Sequence, residues 1–379
     1  MIDYDPLSAQ QLENPYAVYA AARAHQPVFF SARTGMWIVT RYEDISTVLK
    51  DPVRFSSVSS IQVAKEFAPE VLAVLAEGVP PAAGLVDSDP PAHTRLRGLV
   101  SRAFTPRRMA SMEPRIRQIA HELVDAFIQQ GQADLVWRLA YPLPAWVIAD
   151  ILGLPRQDME DCKRWGDEMM ALFGGAHLPV EQQAALARGQ VRLTRYLLAH
   201  VEERQAQPRE DLLSALVHAR LEDGSALSPS ELVSVIIQLL NAGHETTTNL
   251  ITAALVLLLE HPEQLRAVRE DGSLLQPFVE ETLRLESPVQ GLFRITTEQV
   301  ELGGVTLPRG ARLQVLYASG SRDEAVFPRP ERLELNRPNA ESHLAFGRGI
   351  HFCLGAALAR LTTVGLPKQI ENRRAGRGQ

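Results

Sequence analysis

The sequence predicts a mainly helical fold with a minor β component, of the α+β class, on three observations. From about Thr105 to Glu260 apolar residues recur every three or four positions, as in Ile116, Ile119, Leu123 and Phe127, and strand signals nearly vanish. Short β-forming runs are confined to the two sides of that block. The composition is that of a globular chain: 379 residues, 45% hydrophobic and 22% charged, enough apolar material for a large core. Disorder and collagen-like repeats are thereby excluded. No internal repeat or low-complexity linker interrupts the chain, so one domain is expected over residues 1–364, followed by an atypical, mobile tail over residues 365–379.

The elements follow in order. Val28 to Phe30 and Met36 to Thr40 read as strands around a turn at Thr34 and Gly35. A short helix comes next, opened by Thr40 and Glu43 at capping-box spacing. After the helical block begins, Ser228, Pro229 and Glu231 supply an N-cap, a first-turn proline and a capping acid, and Pro262 limits the other end. At ~1.5 Å per residue these bounds imply a helix of nearly 50 Å. Asn241, His244, Glu245 and Thr246 to Thr248 interrupt its apolar run, which argues against a membrane span. In FVEETLRLESP, Glu281 and Arg284 share a helix face. Small sheets are expected on the N-terminal side and after this helix. There Val300 to Leu302 and Val305 to Leu307 flank Gly303 and Gly304, a two-residue hairpin signal, and Ala311 to Tyr317 is a third strand. Leu354 to Leu361 is alanine-rich and helix-forming, and the chain beyond is polar and broken by Gly365 and Pro367.

Charge and cysteine content narrow the function. A net charge of −6, from 39 basic and 45 acidic side chains, carries no sign of a nucleic-acid partner. The opening MIDYDPLSAQQL lacks the cationic and apolar regions of a secretory signal, so a cytoplasmic location is expected, with no membrane partner. Cys162 and Cys353 are far apart in sequence, and without a secretory context they are not expected to form a disulfide.

The segment HLAFGRGIHFCLGAALAR, His343 to Arg360, holds the most specific chemical signal. Gly347, Gly349 and Gly355 surround Cys353, and glycine permits both positive φ and close approach of backbone to a flat ligand. The following helix places the sulfur near a helix N-terminus, where free amides and the macrodipole favour a thiolate, the form an iron ligand requires. A lone cysteine beside a tight turn is more often a buried structural thiol. The spacing of Phe346, Gly347, Gly349, His351, Cys353 and Gly355 reverses that preference. In the long helix, Ala242, Gly243, His244, Glu245, Thr246 and Thr247 place polar groups where they need partners. Two readings stand side by side there: a functional site, or a threonine returning its hydroxyl to the Ala242 carbonyl four residues back and bending the helix.

Phe346, Gly349, Cys353 and Gly355 resemble, without a departure, the F-x-x-G-x-x-x-C-x-G loop of the cytochrome P450 family, and Ala242 to Thr247 resembles its A/G-G-x-D/E-T-T helix stretch. The resemblance runs from about Asn14 to Leu361. It implies the cytochrome P450 fold, with the long central helix widened over the haem. It implies haem b (iron protoporphyrin IX) as cofactor, with Cys353 as the iron ligand, and Phe346 and Ala242 among the cofactor-binding residues. It implies that Thr246 and Glu245 help deliver protons to dioxygen, as general acid catalysis. His93 and Arg97 match the H-x-x-x-R of bacterial members, Arg294 stands at a family arginine and His351 two before the cysteine. These four are implied propionate contacts. The family locks its E-x-x-R pair with an arginine from a downstream loop, which Pro330 to Leu333 matches with Leu333 where phenylalanine is usual, so Arg332 is assigned to the buried network. Cys162 matches nothing and reads as an incidental thiol.

The implied activity is that of a bacterial, soluble monooxygenase inserting one oxygen atom from O2 into a partly hydrophobic organic substrate. Electrons are expected from a ferredoxin-like donor and its reductase, the former docking on a basic patch of Arg95, Arg102, Arg107, Arg108, Arg348 and Arg360. Desaturation, coupling, peroxide-driven oxidation and a non-catalytic haem-binding role remain alternatives. Ser57 to Leu85, Met169 to Gln183 and Pro288 to Phe293, mostly apolar, are the expected pocket segments.

Overall fold

A computed structural model describes residues 2–58, 67–175 and 177–375. The chain forms two compact units. One comprises the N-terminal segment, Asn249–Ala356 and the chain from Thr363 on; the other comprises the segment ending at Thr248 together with Ala357–Thr362.

The first unit is organised by strands. β1 (Val28–Ser31), β2 (Met36–Val39), β3 (Phe55–Ser56), β4 (Leu292–Thr296), β5 (Val300–Leu302), β6 (Val305–Leu307) and β7 (Arg312–Val315) follow in chain order. The small sheets expected on either side of the helical block are in fact mostly one. Five strands lie in the order β1-β2-β7-β4-β3, with β2 parallel to β7 in the register Trp37↔Leu313. The reason is edge satisfaction: β2 carries a row of main-chain donors and acceptors that the hairpin with β1 leaves open, and β7 pairs with it. β3 and β4, which the sequence reading passed over, complete the sheet through Phe55↔Thr296 and Arg294↔Leu313. Val39, Ile45, Phe55, Leu313 and Val315 form its core. The β5–β6 hairpin stands apart, and its turn is the expected one, with φ of 56° at Gly303 and 78° at Gly304.

The helix Tyr42–Lys50 starts where expected but without the expected cap. Thr40 Oγ1 donates instead to the Pro27 carbonyl (2.9 Å), and the Tyr42 amide is taken by Asp323 Oδ2 at 2.8 Å, a partner 281 residues away that no local motif reveals. The helix Leu275–Leu285 is buried through most of its length, Glu280, Glu281 and Arg284 included. The helix Ala356–Ala375 continues through Gly365 and Pro367, which the sequence reading took as its breakers.

The second unit is helical among its described residues. In Glu113–Asp125 the buried positions are Ile116, Ile119, Ala120, Leu123 and Val124, as the periodicity predicts. Val180–Ala206 packs along Met159–Gly174, and its Arg204, fully buried, bonds Asp211 Oδ2 (3.0 Å) and the Gly153 carbonyl (2.6 Å). The long helix spans Pro229–Glu260, 32 residues, and belongs to this unit up to Thr248. Its capping box is formed: Glu231 N donates to Ser228 Oγ (3.3 Å) and Ser228 N to Glu231 Oε2 (2.8 Å).

Candidate active site

Backbone geometry shapes the cysteine loop. Gly347 and Gly349 have φ of 68° and 69°, and a Cβ on Gly349 would lie 2.2 Å from the Leu49 carbonyl oxygen. Gly349 is therefore required twice, for its conformation and for its approach to the Tyr42–Lys50 helix. The Cys353 amide donates to the Phe346 carbonyl (2.9 Å), closing the loop. The helix that follows starts at Ala356, slightly later than predicted, and leaves the half-buried Cys353 just before its first turn.

Two residues that the sequence reading did not single out brace this loop from behind. His343 Nε2 donates to Glu280 Oε2 at 3.2 Å, while its Nδ1 accepts the Ala345 amide at 3.1 Å, and both side chains are buried. That pairing fixes the tautomer and fastens the loop to the Leu275–Leu285 helix. The ring of Phe346 packs on His343 at 5.6 Å.

The E-x-x-R pair is fully buried and bidentate, Arg284 reaching Glu281 at 2.6 and 2.9 Å. The third member is Arg337, not Arg332. Arg337 is 2% exposed and donates to both Glu281 oxygens at 3.0 and 3.1 Å, whereas Arg332 is 68% exposed. The loop has a positive φ at Arg329 (50°), and within it Arg332 contributes its carbonyl to Arg284 and Arg337 while its side chain is exposed.

On β4, Arg294 is 4% exposed. Its partners are the Phe293 carbonyl (2.6 Å) and the Tyr317 hydroxyl; among the described residues no carboxylate pairs with it. A buried guanidinium without a counter-charge is costly, so this position suits an anionic ligand group such as a haem propionate. His351 Nε2 lies 3.0 Å from Ser57 Oγ. The first unit thus holds Arg294, Phe346, His351 and Cys353. The second holds His93, Arg97, Ala242, Glu245 and Thr246.

His93 and Arg97 occupy one face of the helix Ala92–Ala103, with His93 buried. Burial, then the Arg97 charge, lowers the His93 pKa below its ordinary 6.5. In the long helix the anticipated back-bond exists: Thr246 Oγ1 donates to the Ala242 carbonyl at 2.6 Å. The expected widening does not; the helix is α-helical without interruption from Pro229 to Glu260. Ala242 and Glu245 are nevertheless exposed midway along it, and Thr246 is half-buried. His244 points elsewhere, its Nε2 on the Tyr141 carbonyl (3.1 Å) and its ring against Tyr141.

Burial lowers the His244 pKa below 6.5, against the Tyr141 hydrogen bond that raises it. The unfolded chain therefore takes up this proton first as pH falls, so stability drops below about pH 6.5. His244→Gln should reduce the fall in thermal midpoint between pH 7.5 and 5.5; an unchanged pH profile would show that His244 contributes none of it.

Of the anticipated basic patch, Arg102 and Arg107 are exposed. Arg95 is instead engaged by Glu231, and Arg108 is half-buried with a bond to the Asp211 carbonyl (3.2 Å). Arg348 bonds Tyr42 and the Ser342 carbonyl. Cys162 is buried, its thiol pushed up to about 12 by burial, and neither cysteine is in a disulfide. Parts of two anticipated pocket segments, residues 59–66 and 176, lie outside the described residues.

Residues 178–364 match the family model described as Cytochrome P450. The chain is 40% identical over 368 residues to cytochrome P450 monooxygenase PikC of Streptomyces venezuelae, covering 95% of this chain and 84% of that protein. It is 39% identical over 361 residues to vitamin D(3) 25-hydroxylase of Pseudonocardia autotrophica, covering 94% and 86%. Among solved structures it resembles cytochrome P450 CYP109Q5 from Chondromyces apiculatus, with a TM-score of 0.85, 40% identity and coverage of 98% and 90%.

Proposed function

We infer the roles of individual residues from one premise: this chain belongs to the cytochrome P450 family. It is a haem-thiolate monooxygenase with haem b as cofactor. When bound, the haem supplies the iron at which dioxygen is activated and one oxygen atom is passed to an organic substrate. The observation that carries the assignment to this chain is the loop of Phe346, Gly349, Cys353 and Gly355, whose glycine conformations hold Cys353 before a helix start.

Cys353 would supply the thiolate that holds the iron, and Phe346 and Ala242 would contact the macrocycle. Arg294, His351, His93 and Arg97 hold the propionates; the buried, carboxylate-free environment of Arg294 is the strongest support for this set. Thr246 commits its hydroxyl proton to the Ala242 carbonyl, which leaves the Oγ1 lone pairs free to accept from water. The exposed Glu245 carboxylate next to it is the group that recharges such a water with protons. Thr246→Ala should retain haem and consume reducing equivalents, yet yield about tenfold less product per equivalent, the remainder appearing as peroxide. Full coupling in that variant would remove Thr246 from the proton path.

Electrons come from a ferredoxin-like donor and its reductase, with the exposed Arg102 and Arg107 as the core of a reduced basic patch that steers association. Residues 1–364 act as one haem-binding domain, a reading supported by relatives that match across nearly the whole chain. No described helix is long and apolar enough to cross a membrane. The substrate is partly hydrophobic, since the segment VPPAAGLV, Val79 to Val86, is apolar throughout. The test is turnover of a panel of steroids, fatty acids and macrolides with a surrogate ferredoxin system under 18O2. A product carrying one labelled oxygen is expected; turnover that never incorporates the label would overturn oxygen insertion.

A further inference from the structure

The segment before the His93 helix is fastened to the long helix by contacts that the haem loop and the proton path do not use. The Leu85 amide donates to Gln238 Oε1 at 2.9 Å, and Ser234 Oγ, one turn earlier, donates to the Ala82 carbonyl at 3.1 Å. Gly84 and Leu85 are buried. The Gln238 amide fills the space beside Gly84 so completely that a Cβ there would fall 1.4 Å from Nε2. The loop is also braced internally, Ser88 Oγ donating to the Gly84 carbonyl (2.6 Å) and the Gly84 amide to Asp87 Oδ1 (2.9 Å).

Helix spacing gives this fastening its meaning. Ser234, Gln238 and Ala242 are four apart, so they follow one another along one side of the helix at steps of ~6 Å, rotated by ~40° each. The loop backbone is thus held one turn short of Ala242, the exposed residue that opens the Ala242–Thr246 stretch. The residues around this fastening are apolar: Ala82, Ala83, Leu85 and Val86.

We propose that Gln238, interlocked with Gly84, is a positioning residue for substrate selection: it fixes an apolar wall beside the oxygen-activating stretch and so sets how large an apolar ligand fits there. The proposal rests on the monooxygenase reading for its ligand, but the interlock itself does not. Gly84→Ala and Gln238→Ala break the same contact from opposite sides. The added methyl meets the far end of a flexible side chain, which can swing away, so the cost of Gly84→Ala is the lost hydrogen bond and not the fold.

The experiment uses the haem-loaded protein and two readouts. Hydrogen exchange at the Leu85 amide should quicken at least tenfold in Gly84→Ala and in Gln238→Ala. It should be no faster in the double variant, and close to wild type in Gln238→Glu, which keeps the acceptor oxygen. Spectral titration with 4-phenylimidazole, whose phenyl arm needs the wall, should show at least fivefold weaker binding in both single variants. Imidazole, which has no arm, should bind as in wild type. Unchanged Leu85 exchange, or effects of the two substitutions that multiply in the double variant, would overturn the interlock. Quickened exchange with equal loss of both imidazoles, or of neither, would overturn its role in selection. If wild-type protein responds to neither imidazole, the haem reading fails, and so does the selection role built on it, while the exchange measurement still decides the interlock.

Discussion

Cys353→His is expected to abolish the strongly red-shifted Soret band that carbon monoxide gives with the reduced, haem-loaded protein. The band reports thiolate donation to iron, and an imidazole at that position can hold haem without supplying that donation. The effect should be complete, because Cys162, the other cysteine, is buried in the helix Met159–Gly174 with its pKa pushed up to about 12 by burial and two nearby aspartates, and a thiol so protonated is no ligand. Cys162→Ala should accordingly leave the band untouched. Persistence of the band in Cys353→His would remove Cys353 as the ligand, and its loss in Cys162→Ala would put the haem elsewhere.

Arg337→Ala should destabilise the fold by roughly 3–5 kcal/mol, the usual cost of leaving a buried charge network short of one partner. Arg337 does more than pair with Glu281. Its guanidinium also donates to the carbonyls of Pro328 (2.7 Å), Arg329 and Arg332 (both 3.2 Å), so its removal unsatisfies the loop that covers the E-x-x-R helix. Arg332→Ala, on an exposed side chain, should stay within about 0.5 kcal/mol of wild type. Denaturant unfolding of the haem-loaded variants, with haem retention followed in parallel, separates the two. Equal stability of the two variants would show that the network does not depend on Arg337.

The two arginines mark where reading the sequence stops. The P-E-R-L stretch placed the right loop against the right helix, yet the side chain that enters the network comes five residues later. Which arginine faces inward is set by the path of the packed loop, in which Arg329 is left-handed, and not by the local motif. Glu280 and His343 were missed for a related reason. Glu280 lies beside Glu281 and His343 opens the segment that holds Cys353, but their pairing spans 63 positions and has no local spacing to betray it.

What the sequence determined by itself is whatever short-range physics controls. The 3.6-residue periodicity set out the helical block, Ser228 and Glu231 marked the start of the long helix, and two consecutive glycines set the β5–β6 turn. The glycine-flanked Cys353 and the Thr246 back-bond to Ala242 belong here too, since their partners lie within a turn or a loop. Tertiary structure alone decided the rest. It joined the N-terminal hairpin to strands more than 250 residues later, replaced a local cap on Tyr42 with Asp323, and set Gln238 against Gly84. Each of those contacts closes a long stretch of chain, so it forms only when many other buried contacts offset the lost conformational entropy, and no local pattern of residues encodes that sum.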